Sequence, residues 1–102
     1  MHAVTRHYTF DPDSRPQISR SVREAFLPFI REVPGFVAYY WIETGPGSAT
    51  SVTVFDDPAR AEASTSLALG FALAEMGDVL GEPEVSQGPV TAHGLRPTAI
   101  AS

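Results

Sequence analysis

Pro34-Gly35-Phe36-Val37-Ala38-Tyr39-Tyr40-Trp41-Ile42 is nearly all apolar and opens on a Pro-Gly pair. Its β-branched and aromatic residues predict a strand rather than a helix. Strict alternation sends Phe36, Ala38, Tyr40 and Ile42 to one face and Val37, Tyr39 and Trp41 to the other. A strand apolar on one face lies on a core; one apolar on both faces needs a partner above and another below. A chain of 102 residues forms one domain with a modest core, so a second subunit is the natural source of the second partner.

Working outward, the upstream segment Pro16 to Val33 reads as a helix. Ile18, Val22, Ala25, Phe29 and Val33 recur at spacings of three or four and mark its buried face. Asp13 or Ser14 is the expected cap, with Pro16 in the first turn. Pro28 falls inside the pattern and predicts a kink or an early end, because it lacks a backbone donor and crowds the preceding turn. Gly35 is free to take positive φ where the helix closes. Before the helix, Ala3 to Phe10 alternates as a first strand, with Val4, Tyr8 and Phe10 sharing a parity with Arg6 and a more polar set opposite. Asp11-Pro12-Asp13-Ser14 stops it.

Downstream, Thr44-Gly45-Pro46-Gly47-Ser48 is a hairpin loop leading to a strand from Ala49 to Phe55. Val52 and Val54 lie on one face of that strand; Ser51, Thr53 and Phe55 lie on the other. Asp57 and Pro58 then start a second helix that runs to Met76, or on to Leu80. Leu69, Leu73, Met76 and Leu80 form one stripe of it, beside Leu67, Phe71 and Ala74. A last strand spans Glu84 to His93, weakened by Gly88 and Pro89 and therefore suited to an edge. The domain covers residues 1–94, and residues 95–102 form a C-terminal tail.

The order is β-α-β-β-α-β, the α+β ferredoxin-like plan. Right-handed crossovers place the strands in the order four, one, three, two, as a four-stranded antiparallel sheet with two helices on one face. The other face is left bare, and two such faces packed together give a homodimer.

Composition narrows the function classes. Hydrophobic residues at 43% and charged residues at 19% are ordinary for a globular protein. The net charge is −5, and all seven basic residues are scattered arginines, which opposes binding to nucleic acid or an anionic membrane. No cysteine is present, so disulfides and thiolate chemistry are excluded. No apolar run reaches membrane-spanning length, and Met1 to Arg6 lacks a signal-peptide layout, so a cytoplasmic location is expected. An Ala-, Gly- and Arg-rich chain without lysine points to a GC-rich bacterial genome.

Three stretches carry a family resemblance: Val33-Pro34-Gly35-Phe36 at the end of the first helix; Val52-Thr53-Val54-Phe55-Asp56-Asp57 leading to Ala59, Arg60 and Ala61; and Gly88-Pro89-Val90 in the last strand. With the element order, they resemble the antibiotic-biosynthesis-monooxygenase-like (ABM) family of the dimeric α+β-barrel superfamily, over residues 3–94. The resemblance implies a homodimer whose sheets form a joint barrel, with an apolar pocket between each sheet and its own helices. It implies cofactor-free oxygenation of a small aromatic or polyketide-like compound, or, alternatively, a non-catalytic binding or accessory dimer. Such chemistry uses a dry pocket, a base and donors for developing charge.

His7 is the candidate base, the plainer reading being a hydrogen-bonded histidine at the dimer interface. Tyr8, Tyr39, Tyr40, Trp41 and Phe71 are the candidate substrate-binding residues, although such aromatics are more often core or interface groups. Family members place Trp, Tyr, Asn or His partly on the second helix; Ala59 to Met76 holds none of these, which argues against haem degradation. The His-Asp pairing of sister barrel families finds no aspartate partner for His7. His2 and His93 face each other across the first and last strands in this topology but lack a third ligand, so neither a metal nor a cofactor is expected. Gly45-Pro46-Gly47-Ser48 lacks the length and lysine of a phosphate loop, Asp56 and Asp57 read as capping residues, and Ser64-Thr65-Ser66 reads as helix surface.

Overall fold

The computed structural model describes residues 1–77 and 79–97, without the side chains of Leu69, Ala72, Leu73 and Glu75. Strands β1 (His2–Thr9), β2 (Phe36–Gly45), β3 (Ser48–Phe55) and β4 (Glu84–Pro89) form one sheet in the order β2-β3-β1-β4. All neighbours are antiparallel. This is the expected topology, and the β-α-β-β-α-β order is present. Helix α1 is composite: a 3₁₀ turn (Pro12–Ser14), an α segment (Arg15–Ser21), a π turn (Val22–Phe26) and a final α segment (Leu27–Ile30). Helix α2 spans Pro58–Met76. No helix among the described residues is long and apolar enough to cross a membrane.

Pro28 acts on α1 one turn earlier than a simple kink. Its ring cannot donate to the carbonyl of Glu24, and the helix absorbs this as the π turn immediately before the final segment. The extra residue per turn rotates the buried face. Ile18 and Val22 are buried as the spacing predicts, but the face then passes to Phe26 and Ile30, leaving Ala25, Phe29 and Val33 half-buried. The cap also differs. Asp11 accepts from the Asp13 amide at 2.9 Å, whereas Ser14 makes no side-chain cap bond.

β2 departs from strict alternation at its start. Phe36 pairs with Phe55 and Ala38 with Val54, so Val37 is an extra, bulged residue. The bulge moves Phe36 to the side of Tyr39 and Trp41, where its ring meets Phe55 edge-on at 6.4 Å. The hairpin is tighter than its sequence suggests, with only residues 46 and 47 between β2 and β3. β4 is shorter than expected and ends at Pro89, which cannot donate to the ladder; one bond from the Val90 amide to the Met1 carbonyl follows at 3.0 Å. Of the expected tail, residues 98–102 lie outside the described residues.

Gly35 ties the helix ends together. Its φ is +85°, and a Cβ there would fall 2.3 Å from Arg60 Cδ. Its carbonyl accepts from the Asp56 amide at 2.8 Å, while Asp57 caps α2 through the Arg60 amide at 2.9 Å. Pro-Gly and Asp-Asp-Pro are thus two halves of one junction. Both helices cover the same sheet face. Phe26 and Ile30 of α1 and Ala61 and Ala68 of α2 form one cluster with Val4 and Phe55; Ile18, Val22 and Met76 form a second, against which Tyr39 and Trp41 pack.

Candidate small-molecule site

Strand register settles what points into the molecule. Val4, Arg6 and Tyr8 of β1 are buried beneath the helices. Arg6 aligns with Ser51 of β3, and Ser51 with Trp41 of β2; Val4 aligns with Thr53, and Thr53 with Tyr39. The covered face therefore carries a polar group in nearly every row.

A cavity sits at the centre of this face. The sheet contributes Arg6, Tyr8, Tyr39, Trp41 and Ser51; Val22, Phe26, Ala68, Met76 and Leu80 close it from the helical side. Its free volume is about 10 Å³, room for roughly one water. The Tyr8 and Trp41 rings lie 5.6 Å apart, and Tyr39 packs on Phe26 at 5.2 Å. Arg6 is 2% exposed. Its Nη2 donates to Thr65 Oγ1 at 3.2 Å, and its buried Nε has no acceptor among the described residues. The Thr53 hydroxyl is likewise buried without a partner.

Electrostatics make this a site of donors. Burial raises the Tyr39 phenol well above its ordinary value; Tyr8 adds to the shift, while Arg6 and Ser51 pull the other way. Burial also raises Tyr8, with Arg6 opposing. Burial lowers Arg6 from the usual guanidinium value. At neutral pH both phenols hold their protons and the guanidinium its charge, so the cavity offers hydrogen-bond donors and no base among its lining residues.

The candidates from sequence divide between the two faces. Tyr8, Tyr39 and Trp41 converge on the cavity. Phe71 lies outside its lining, stacked on Phe29 at 5.0 Å and edge-on to Phe26 at 5.4 Å. Tyr40 is 56% exposed and shares the bare face with Val52, its register partner. His7 is also on the bare face, bonded through Nδ1 to Thr50 Oγ1 at 2.9 Å, so it cannot act as a base in the cavity. His2 meets Gln87 at 3.3 Å, His93 is exposed beyond β4, and no metal-binding cluster occurs among the described residues. Arg6 and Ser51 escaped the sequence reading; the available signal was the parity Arg6 shares with Val4 and Tyr8.

The fold has counterparts among solved structures. A Nitrosomonas europaea protein of unknown function superposes with a TM-score of 0.80 at 18% identity, covering 95% of each chain. The Streptomyces coelicolor ActVA-Orf6 monooxygenase, solved with Nanaomycin D, gives 0.70 at 16% identity over 94% of this chain and 92% of its own. A proposed antibiotic biosynthesis monooxygenase from Chloroflexus aurantiacus gives 0.65 at 23% identity over 91% and 96%. The chain has the ABM-like fold. No family profile matches the sequence, and no curated protein does; at these identities the likeness speaks for the fold.

Proposed function

We propose that this ABM-like chain is a homodimer that takes a small aromatic or polyketide-like compound between its sheet and helices and oxygenates it without a cofactor. The observation that carries this reading is the convergence of Tyr8, Tyr39 and Arg6 on one apolar, aromatic-walled cavity. Structural neighbours of the same fold include a monooxygenase solved with a bound compound. Entry of a ring requires on the order of 150 Å³, so Trp41, Met76 and Leu80 must yield; the unbranched Met76 side chain is suited to that. In the reaction an anthrone-like methylene gives up a proton to water, its anion adds O₂ to form a peroxide that is reprotonated, and the O–O bond then breaks so that the carbon becomes a carbonyl as water leaves. The phenols and the guanidinium supply donors to the oxygen on which charge develops. The second subunit covers the bare face, where Tyr40 and Ile42 are 56% and 47% exposed.

A second reading, binding without catalysis, is favoured by the lack of a base among the lining residues. Oxygen consumption with anthrone and quinol substrates separates the two. Uptake matched by quinone formation supports the oxygenase. Saturable binding without uptake leaves the binding dimer, and absence of both refutes the site.

A further inference from the structure

Arg6 is the one buried charged side chain among the described residues. An isolated ion moved out of water loses much of its solvation even after relaxation. A buried cation is therefore ordinarily paired with a carboxylate. The ion pairs among the described residues join Arg15 to Glu43 and Arg60 to Asp57, both at the surface. Among the described residues Arg6 has one neutral hydroxyl, Thr65 Oγ1, and an Nε with no acceptor. Thr65 is occupied elsewhere as well, since its hydroxyl donates to the Ala61 carbonyl at 3.1 Å. A strut between sheet and helix would not need a charge: a methionine would fill the same space without the desolvation cost.

What surrounds the guanidinium describes what would complete it. Tyr8 and Tyr39 flank it with protonated hydroxyls, Ser51 lies beside it in register, and Trp41 and Phe26 provide flat apolar walls. We infer that Arg6 makes this cavity a site for an aromatic oxyanion, a phenolate or ring carboxylate whose negative oxygen pairs with the guanidinium while the ring lies among Tyr39, Trp41 and Phe26. The inference rests on the small-molecule reading of the cavity and names the charge state it selects. It also answers the lack of a base. A fixed cation beside a ligand hydroxyl favours the ionised form and lowers the ligand's own pKa, so the ligand can enter as its anion with the proton left in bulk water.

The test exploits Trp41, the chain's single tryptophan, whose fluorescence reports on the cavity wall. Its quenching is titrated at neutral pH with 2-naphthoate and with neutral 2-naphthamide; 4-nitrophenol, whose phenolate is coloured, forms the phenol arm. Naphthoate is expected to bind about tenfold or more tighter than the amide, and bound 4-nitrophenol to ionise at lower pH than free. Arg6→Met abolishes both preferences, and Arg6→Lys restores part of them. A response in only one arm decides between carboxylate and phenolate. Equal affinity for acid and amide, with no shift in the nitrophenol titration, overturns the oxyanion inference while leaving a small-molecule site. No quenching by any of the three removes the site itself. The wild-type arms stand alone if Arg6→Met fails to fold. A merely structural Arg6 would lower the melting temperature of the variant without changing the acid-to-amide ratio.

Discussion

The two faces of β3 are reversed relative to the usual pattern of a sheet. On the covered face, β3 presents Ser51 and Thr53, both buried, and β1 presents Arg6. On the uncovered face the same strand presents Val52 and Val54, and β2 presents Tyr40 and Ile42. A sheet stabilised only by its own helices would carry valines inside and serines outside. The contrast fits the proposal of a ligand site on the inner face and a subunit contact on the outer one. Stability inside comes from fewer, larger groups such as Phe55, Phe26 and Ile30, and the buried polar atoms are tolerated around them.

The largest test of that contrast is Phe55→Ala. Phe55 is fully buried, and truncation is expected to cost about 3–5 kcal/mol in denaturant unfolding. On the outer face, Tyr40→Glu with Ile42→Glu leaves the fold intact by circular dichroism but raises the dimer dissociation constant about a hundredfold, read by sedimentation equilibrium. A wild-type protein already monomeric at micromolar concentration would remove the adhesive role altogether.

Smaller effects sharpen the comparison. Thr53→Val replaces an unpartnered buried hydroxyl with a methyl group of similar shape and should stabilise the protein by about 1 kcal/mol; Val52→Thr, one residue away on the other face, should instead weaken the dimer. The smallest effect is in alkali. The folded-state pKa values of Tyr39 and Tyr8 are raised above their ordinary value, so between about pH 10 and those values the unfolded chain has lost protons that the folded chain retains. Their contribution is whole below about pH 10 and falls as pH rises. Melting temperature should therefore drop less steeply above pH 10 in Tyr39→Phe than in wild type.

Much of the fold was legible because its signals are local. Pro34-Gly35, the hairpin glycines and Asp57-Pro58 each end or begin an element for reasons contained in a few residues, and right-handed crossovers then leave one strand order. The site was less legible. Alternation placed Tyr39 and Trp41 together, but the bulge at Val37 and the π turn before Pro28 each change a face by one residue. Such shifts arise from tertiary accommodation and leave no mark in a period-two or period-3.6 pattern. His7 drew notice as a residue type although its parity is that of the outer face. Arg6, on the same strand, carried its signal only as a charge among buried neighbours.

The division of labour between the faces is tested most directly by the single indole N–H resonance of Trp41 in a proton–nitrogen correlation spectrum. Titration with 2-naphthoate should move it saturably, to the same extent in wild type and in the Tyr40→Glu, Ile42→Glu variant. An indole signal that stays still while naphthoate binds, or that responds only in the dimer, would contradict an inner ligand site separate from an outer adhesive face.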